Sequence, residues 1–144
     1  MGPLGPSPLL WHIWRYYAPS WYNDFVLCLG YKADAIKDYF LRYNEALSND
    51  FVLSEGGRSV ELMQTDIQDW RITFVDTGRA ASVGERLRAV RHHLQDEELF
   101  LANYADVLTD ARMDELVADF RQRDQVAGFL SVRPRYTFHV VDSD

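Results

Sequence analysis

The chain has 144 residues, 47% of them apolar and 14% aromatic, and carries 15 Lys+Arg against 22 Asp+Glu for a net charge of −7. This composition excludes a disordered chain, which lacks apolar residues, and a general nucleic-acid binder, which needs an excess of Lys and Arg. One cysteine, Cys28, excludes an internal disulfide framework and a Cys-rich zinc site. A pocket for a single phosphate needs only a few local donors and stays open.

The first eight residues hold three of the five prolines and read as an irregular lead-in. They lack the positive and apolar regions of a secretory signal. No apolar run approaches the roughly eighteen residues of a membrane span. With a single thiol, the expected compartment is the cytoplasm. Leu10, Ile13, Trp14 and Tyr17 recur at helical spacing, and Pro19 is expected to stop that helix. Residues 25–29 form a short apolar run before Gly30, the pattern of a strand buried in a parallel sheet. A helix over 34–43 follows, with Ile36, Tyr39, Phe40 and Tyr43 on one face. Residues 50–54 and 59–64 flank Glu55-Gly56-Gly57-Arg58 and predict a β-hairpin whose glycines take positive φ. A strand at 71–76 ends in Thr77-Gly78, and Val83, Leu87, Val90 and Leu94 form a helical stripe. Strands are expected at 99–103, 127–132 and 137–141, and Met113, Leu116, Val117 and Phe120 mark another helix. Alternating buried strands and helices predict a single α/β domain over 1–144 with a mostly parallel sheet.

In such sheets, ligands bind beyond the carboxyl ends of the strands. Three segments qualify: Gly30-Tyr31-Lys32, Asp76-Thr77-Gly78 and Asn103-Tyr104-Ala105-Asp106. A carboxylate at Asp106 suits Mg²⁺, a hard cation that takes one or two carboxylates plus phosphate oxygens; an aspartate there also suits a helix cap. Arg86 borders the buried stripe and has the planar fork that grips phosphate. Lys32 either reaches a phosphate or remains solvated. Cys28 reads as packing rather than nucleophile. His92 and His93 are adjacent, so they are not expected to share a helical face.

Taken in order, Leu9-Leu10-Trp11-His12-Ile13, Asp24-Phe25-Val26-Leu27-Cys28-Leu29-Gly30-Tyr31-Lys32, Ile36-Lys37-Asp38-Tyr39-Phe40, Val75-Asp76-Thr77-Gly78, Gly84-Glu85-Arg86-Leu87 and Asn103-Tyr104-Ala105-Asp106 resemble the sugar-phosphate nucleotidyltransferases. The glucose-1-phosphate cytidylyltransferase branch is the nearest likeness. The resemblance implies a Rossmann-like (GT-A-like) layered fold, here truncated at both ends, with a small β-hairpin. It implies transfer of a nucleoside monophosphate, CMP from CTP, to a sugar 1-phosphate such as glucose 1-phosphate, with release of pyrophosphate. Asp106 matches the family's metal-binding aspartate for Mg²⁺. Arg86 matches an arginine that contacts the nucleotide or sugar phosphate. Thr77 and Gly78 match a turn lining the base pocket, and Ala105 stands where the family usually has a glycine close to the ligand. No side chain is assigned as a catalytic acid, base or nucleophile. The partners implied are a nucleoside triphosphate and a sugar 1-phosphate, with neither nucleic acid nor membrane.

The family's first strand, with its glycine-rich loop, and its second metal aspartate have no match within these residues. An internal fragment of such an enzyme, inactive alone, is the resulting expectation. Strand edges left without a partner would invite self-association into homo-oligomers. The alternative is a non-catalytic remnant that binds or oligomerises.

Overall fold

The computed structural model describes residues 3–4, 7–17 and 22–131. Two compact units are present, Met1–Leu108 and Thr109–Asp144. In the first, Pro3–Leu4 (β1) pairs antiparallel with Ser7–Pro8 (β2), so the lead-in expected to be irregular holds one short pairing. Helix α1 spans Leu9–Tyr17; Pro19, expected to stop it, lies outside the described residues. Strand β3 (Asp24–Leu29) leads into α2 (Ala33–Leu41). The hairpin is β4 (Phe51–Ser54) and β5 (Ser59–Leu62), paired antiparallel, with Gly56 at φ 66° and Gly57 at φ 93° as its spacing predicted. Strand β6 (Arg71–Asp76) returns to lie parallel to β3, in register from Asp24 opposite Arg71 to Leu29 opposite Asp76. Helix α3 (Val83–Ala89) follows, then a 3₁₀ turn at Arg91–His93. The second unit contains α4 (Met113–Gln122), an amphipathic helix with Val117 buried.

The core of the first unit explains why these segments form. Leu10, Ile13 and Trp14 face one way from α1 because they are three and four residues apart. They meet Leu27 and Leu29, which alternate on one face of β3. Trp14 stacks on Phe25 at 4.9 Å and touches Phe40 and Trp70 at 5.0 and 5.7 Å between ring centres. Each such aromatic pair adds about 0.5–1.5 kcal/mol beyond the area it buries. Ile36 and Phe40 of α2, Ile72 and Phe74 of β6, and Ala105 pack around this cluster. On the opposite face of β3, the Cys28 thiol lies 3.9 Å from the Arg86 carbonyl oxygen of α3.

Two expectations need correction. Parallel pairing is confined, among the described residues, to β3 and β6, and the other two pairs are antiparallel. The expected strand at 99–103 is not formed, nor is the expected strand at 127–132 over its described residues: residues 99–104 and 127–131 are irregular, and Phe100 is 47% exposed. A strand is held by hydrogen bonds to a neighbour rather than by its own apolar run, and no described segment pairs with either. The expected strand at 137–141 lies outside the described residues. Among the described residues, no helix is long and apolar enough to cross a membrane.

A polar lock fastens residues 44–70 to the helices. The Asp66 carboxylate accepts from Asn49 Nδ2 at 2.8 Å, Ser48 Oγ at 2.9 Å and Tyr43 Oη at 3.0 Å, with Arg15 3.9 Å away. The Tyr43 hydroxyl in turn accepts from Trp11 Nε1 at 3.2 Å. The Glu45 carboxylate accepts from the backbone amides of Asp66 and Ile67. Burial raises the Asp66 carboxyl, but the three hydrogen bonds and the Arg15 charge outweigh it and hold the group below its ordinary value.

Asp66→Ala is therefore expected to lower the unfolding free energy by about 1.5–3 kcal/mol at pH 7. A depressed native value means that the carboxylate's contribution is complete above the ordinary Asp value of about 3.9. It is lost as pH falls through the lower native-state value. Urea titrations across pH 2–7 should show the gap between wild type and variant closing at the acid end.

Candidate functional site

Because β3 and β6 are parallel and in register, their carboxyl ends lie at the same edge. The two strand-end turns therefore meet, and the Leu29 carbonyl oxygen is where they join. Thr77 donates to it twice, from its amide at 2.9 Å and from Oγ1 at 2.8 Å. Arg86 Nη1 donates to it at 3.2 Å and to Thr77 Oγ1 at 2.6 Å. One guanidinium thus ties the ends of two strands to α3.

Helix α3 delivers Arg86 because its start is fixed. The Ser82 hydroxyl accepts from the Glu85 amide at 3.4 Å, and the Glu85 carboxylate accepts from the Ser82 amide at 2.7 Å, a reciprocal capping box. The Ser82 hydroxyl also donates to the Glu85 carboxylate at 2.8 Å, and this bond together with that from the Ser82 amide holds the Glu85 carboxyl below its ordinary value. Gly30 makes room for the guanidinium: a Cβ there would sit 2.9 Å from Arg86 Nη2 and 2.9 Å from the Gly78 carbonyl oxygen. Gly78 takes φ 91° while its amide donates to Asp76 Oδ1 at 3.0 Å. Burial pushes the Cys28 thiol up, against the opposing pull of the Arg86 charge, consistent with packing rather than nucleophilic chemistry.

Of the residues singled out in the sequence, Arg86, Thr77 and Gly78 converge at this edge. Asp106 lies in a turn at 105–106 and is exposed, while Ala105 is half-buried against the apolar core. No hydrogen bond or ion pair links Asp106 to Arg86 among the described residues. An exposed carboxylate is a hard oxygen donor of the kind Mg²⁺ takes, with water and phosphate oxygens as its other ligands. Among the described residues, no cluster of three His, Cys, Asp or Glu side chains could hold a metal by itself. His92 and His93 depart from expectation. They lie on a 3₁₀ turn rather than an α-helix, and their ring centres are 3.9 Å apart.

Tyr31 belongs to one of the three strand-end segments marked by the sequence, whereas Arg79 does not stand out from the sequence alone. The Tyr31 ring carries the Arg79 guanidinium at 4.8 Å and the Lys32 ammonium at 5.5 Å. The available signal was an aromatic residue directly after a strand-ending glycine, with basic residues following both strand ends.

No protein-family model matches the sequence. A glucose-1-phosphate cytidylyltransferase of Salmonella typhimurium is 30% identical over 142 residues, covering 99% of this chain and 55% of that protein. The chain resembles the glucose-1-phosphate cytidylyltransferases. The protein of that name from Salmonella typhi matches to the same extent. A Bacillus subtilis protein named "Probable glucose-1-phosphate cytidylyltransferase" is 34% identical over 115 residues, 80% of this chain and 44% of its own length. The likeness read from the ordered motifs is thus borne out. The chain spans about half the length of the curated relatives it matches.

Gly30→Ala should displace the Arg86 guanidinium and cost about 1–3 kcal/mol, the usual range for overpacking. In an Arg86→Ala background the same change should cost less, without becoming neutral, because the Gly78 carbonyl remains in the way. A double-mutant cycle by urea denaturation measures the coupling; strict additivity would show that the two residues do not meet.

Proposed function

We propose that this chain is part of a cytoplasmic sugar-1-phosphate nucleotidyltransferase that moves CMP from CTP to glucose 1-phosphate. The observation that carries the reading is the meeting of Arg86, Thr77 and Gly78 at the carboxyl edge of a parallel strand pair. It is supported by a chain-long match to proteins named for that activity. The edge is where α/β sheets bind ligands, and its donors are of the type that suits phosphate.

In this reading an oxygen of the sugar phosphate attacks the α-phosphorus of CTP. The bond from that phosphorus to the bridging oxygen breaks, and pyrophosphate leaves with the electron pair. The attacking oxygen is already ionised, so no side chain need remove a proton. The chain's task is positioning and charge neutralisation. Arg86, held by Thr77 and the Leu29 carbonyl, presents a preorganised guanidinium to a phosphate. Thr77 and Gly78 shape the turn against the base, and Ala105 lines the approach. Asp106 would hold Mg²⁺, which supplies neutralisation of the charge building on the phosphate oxygens when it is bound.

Since the chain spans about half of its relatives, nucleotide binding is the primary readout and little turnover is expected. Isothermal titration with CTP should show binding that strengthens with Mg²⁺. Asp106→Ala should remove the Mg²⁺-dependent part, at least tenfold or about 1.4 kcal/mol. Arg86→Ala should weaken binding with or without the metal. Wild-type protein that binds no CTP in the presence of Mg²⁺ would overturn the proposal and favour a remnant with a different binding role. An assay for CDP-glucose with inorganic pyrophosphatase present measures any residual transfer.

A further inference from the structure

Two cations from different turns share one aromatic ring at the proposed ligand edge. Lys32 follows β3 and Arg79 follows β6, and both charges approach the Tyr31 ring, at 5.5 and 4.8 Å from its centre, while Tyr31 remains 64% exposed. Both cationic residues are themselves exposed. Like charges repel, so their gathering needs a compensating group. The ring face supplies part of it. A carboxylate is the ordinary remedy, and elsewhere this acidic chain applies it: Arg42 pairs with Asp38 at 2.7 Å, Arg71 with Asp24 at 2.9 Å and Arg123 with Asp119 at 2.8 Å. Among the described residues, neither Lys32 nor Arg79 has an ion-pair partner. The two acids closest along the chain do not fill that place. Asp76 accepts from the Gly78 amide, and Asp34 lies exposed in the first turn of α2.

The backbone fixes this placement. Lys32 takes φ 56° and ψ 35°, a left-handed conformation that a side chain of this kind rarely adopts, where glycine would be the ordinary residue. The turn is closed by the Ala33 amide donating to the Gly30 carbonyl at 3.2 Å. Gly78, at φ 91°, turns the chain directly before Arg79. Both turns are anchored through the Leu29 node, so the two cations arrive on scaffolds that are already tied together.

We propose that Tyr31, Lys32 and Arg79 form a phosphate-binding platform, distinct from the Arg86 position, that receives a phosphoryl group of a phosphorylated ligand. The anion sits between the ammonium and the guanidinium and supplies the counter-charge that the chain withholds. The proposal rests on the nucleotidyltransferase reading only for the identity of the arriving ligand. Two sources present that chemistry: the monoester of a sugar 1-phosphate and the polyphosphate tail of a nucleoside triphosphate or its pyrophosphate product.

The test uses the whole 144-residue chain and three probes without added metal: inorganic pyrophosphate, glucose 1-phosphate and CTP. Titration should show binding of pyrophosphate that weakens as salt rises. The double variant Lys32→Gln/Arg79→Gln should lose at least tenfold in pyrophosphate affinity, and each single variant at least threefold. Both side chains are exposed, so the melting temperature should move little, and the charge-keeping Lys32→Arg variant should retain most of the affinity. A larger loss for glucose 1-phosphate than for CTP assigns the platform to the sugar phosphate, and the reverse assigns it to the polyphosphate tail. Wild type that binds none of the three anions, or variants that bind pyrophosphate as tightly as wild type, would overturn the platform. A fall in melting temperature with anion affinity unchanged would reduce the stack to a structural contact and equally overturn it. Pyrophosphate binding lost in the double variant, in a protein without Mg²⁺-dependent CTP binding, would uphold the platform while the nucleotidyltransferase reading fails.

Discussion

The Leu29 carbonyl oxygen stands at the end of a buried strand and accepts donors from Thr77 and Arg86. A carbonyl there would otherwise lack a partner, because its strand has ended and the chain turns away at Gly30. Satisfying it with a threonine from the neighbouring strand and an arginine from α3 welds three elements at one point. The weld requires the parallel register, since only that register sets Leu29 opposite Asp76 and so beside Thr77. It also requires Gly30, whose missing Cβ leaves the guanidinium its space. The proposed ligand edge inherits its geometry from this one oxygen.

Charge is distributed unevenly over the first unit. At one place, the half-buried Asp66 carboxylate is surrounded by Ser48, Asn49, Tyr43 and Arg15, and the polar groups answer one another. At the carboxyl edge of β3 and β6, Lys32 and Arg79 rest on an aromatic ring instead of on acids. The first arrangement is closed and serves stability, because a carboxylate withdrawn from water must have its lone pairs met. The second is open toward solvent and leaves positive charge for an anion to complete. A net charge of −7 conceals this contrast.

These features give physical content to the likeness with the cytidylyltransferases. Phosphoryl transfer asks little covalent chemistry of a protein and much charge placement. This edge offers a fixed arginine, a threonine hydroxyl and a glycine turn on a rigid strand pair. The Ala105 position illustrates how scaffold and site share residues. It belongs to a turn proposed to face ligand, yet it packs against the apolar core cluster, so the position of Asp106 beside it depends on apolar packing.

The residue order alone determined the helices, because the spacing of Leu10, Ile13 and Trp14, the Ser82–Glu85 cap and the Gly56-Gly57 turn act within a few residues. It also determined the residues of the two strands that pair in parallel. Only tertiary structure decided which apolar runs became strands. Residues 99–103 have the composition of one and remain irregular, since a strand depends on a pairing neighbour and not on its own residues alone. Only tertiary structure brought Arg79 to Tyr31, Arg86 to the Leu29 carbonyl, and Asp66 to Arg15. Such pairings join residues from separate elements, and periodicity, which reports one element's own faces, carries no information about which other element will meet them.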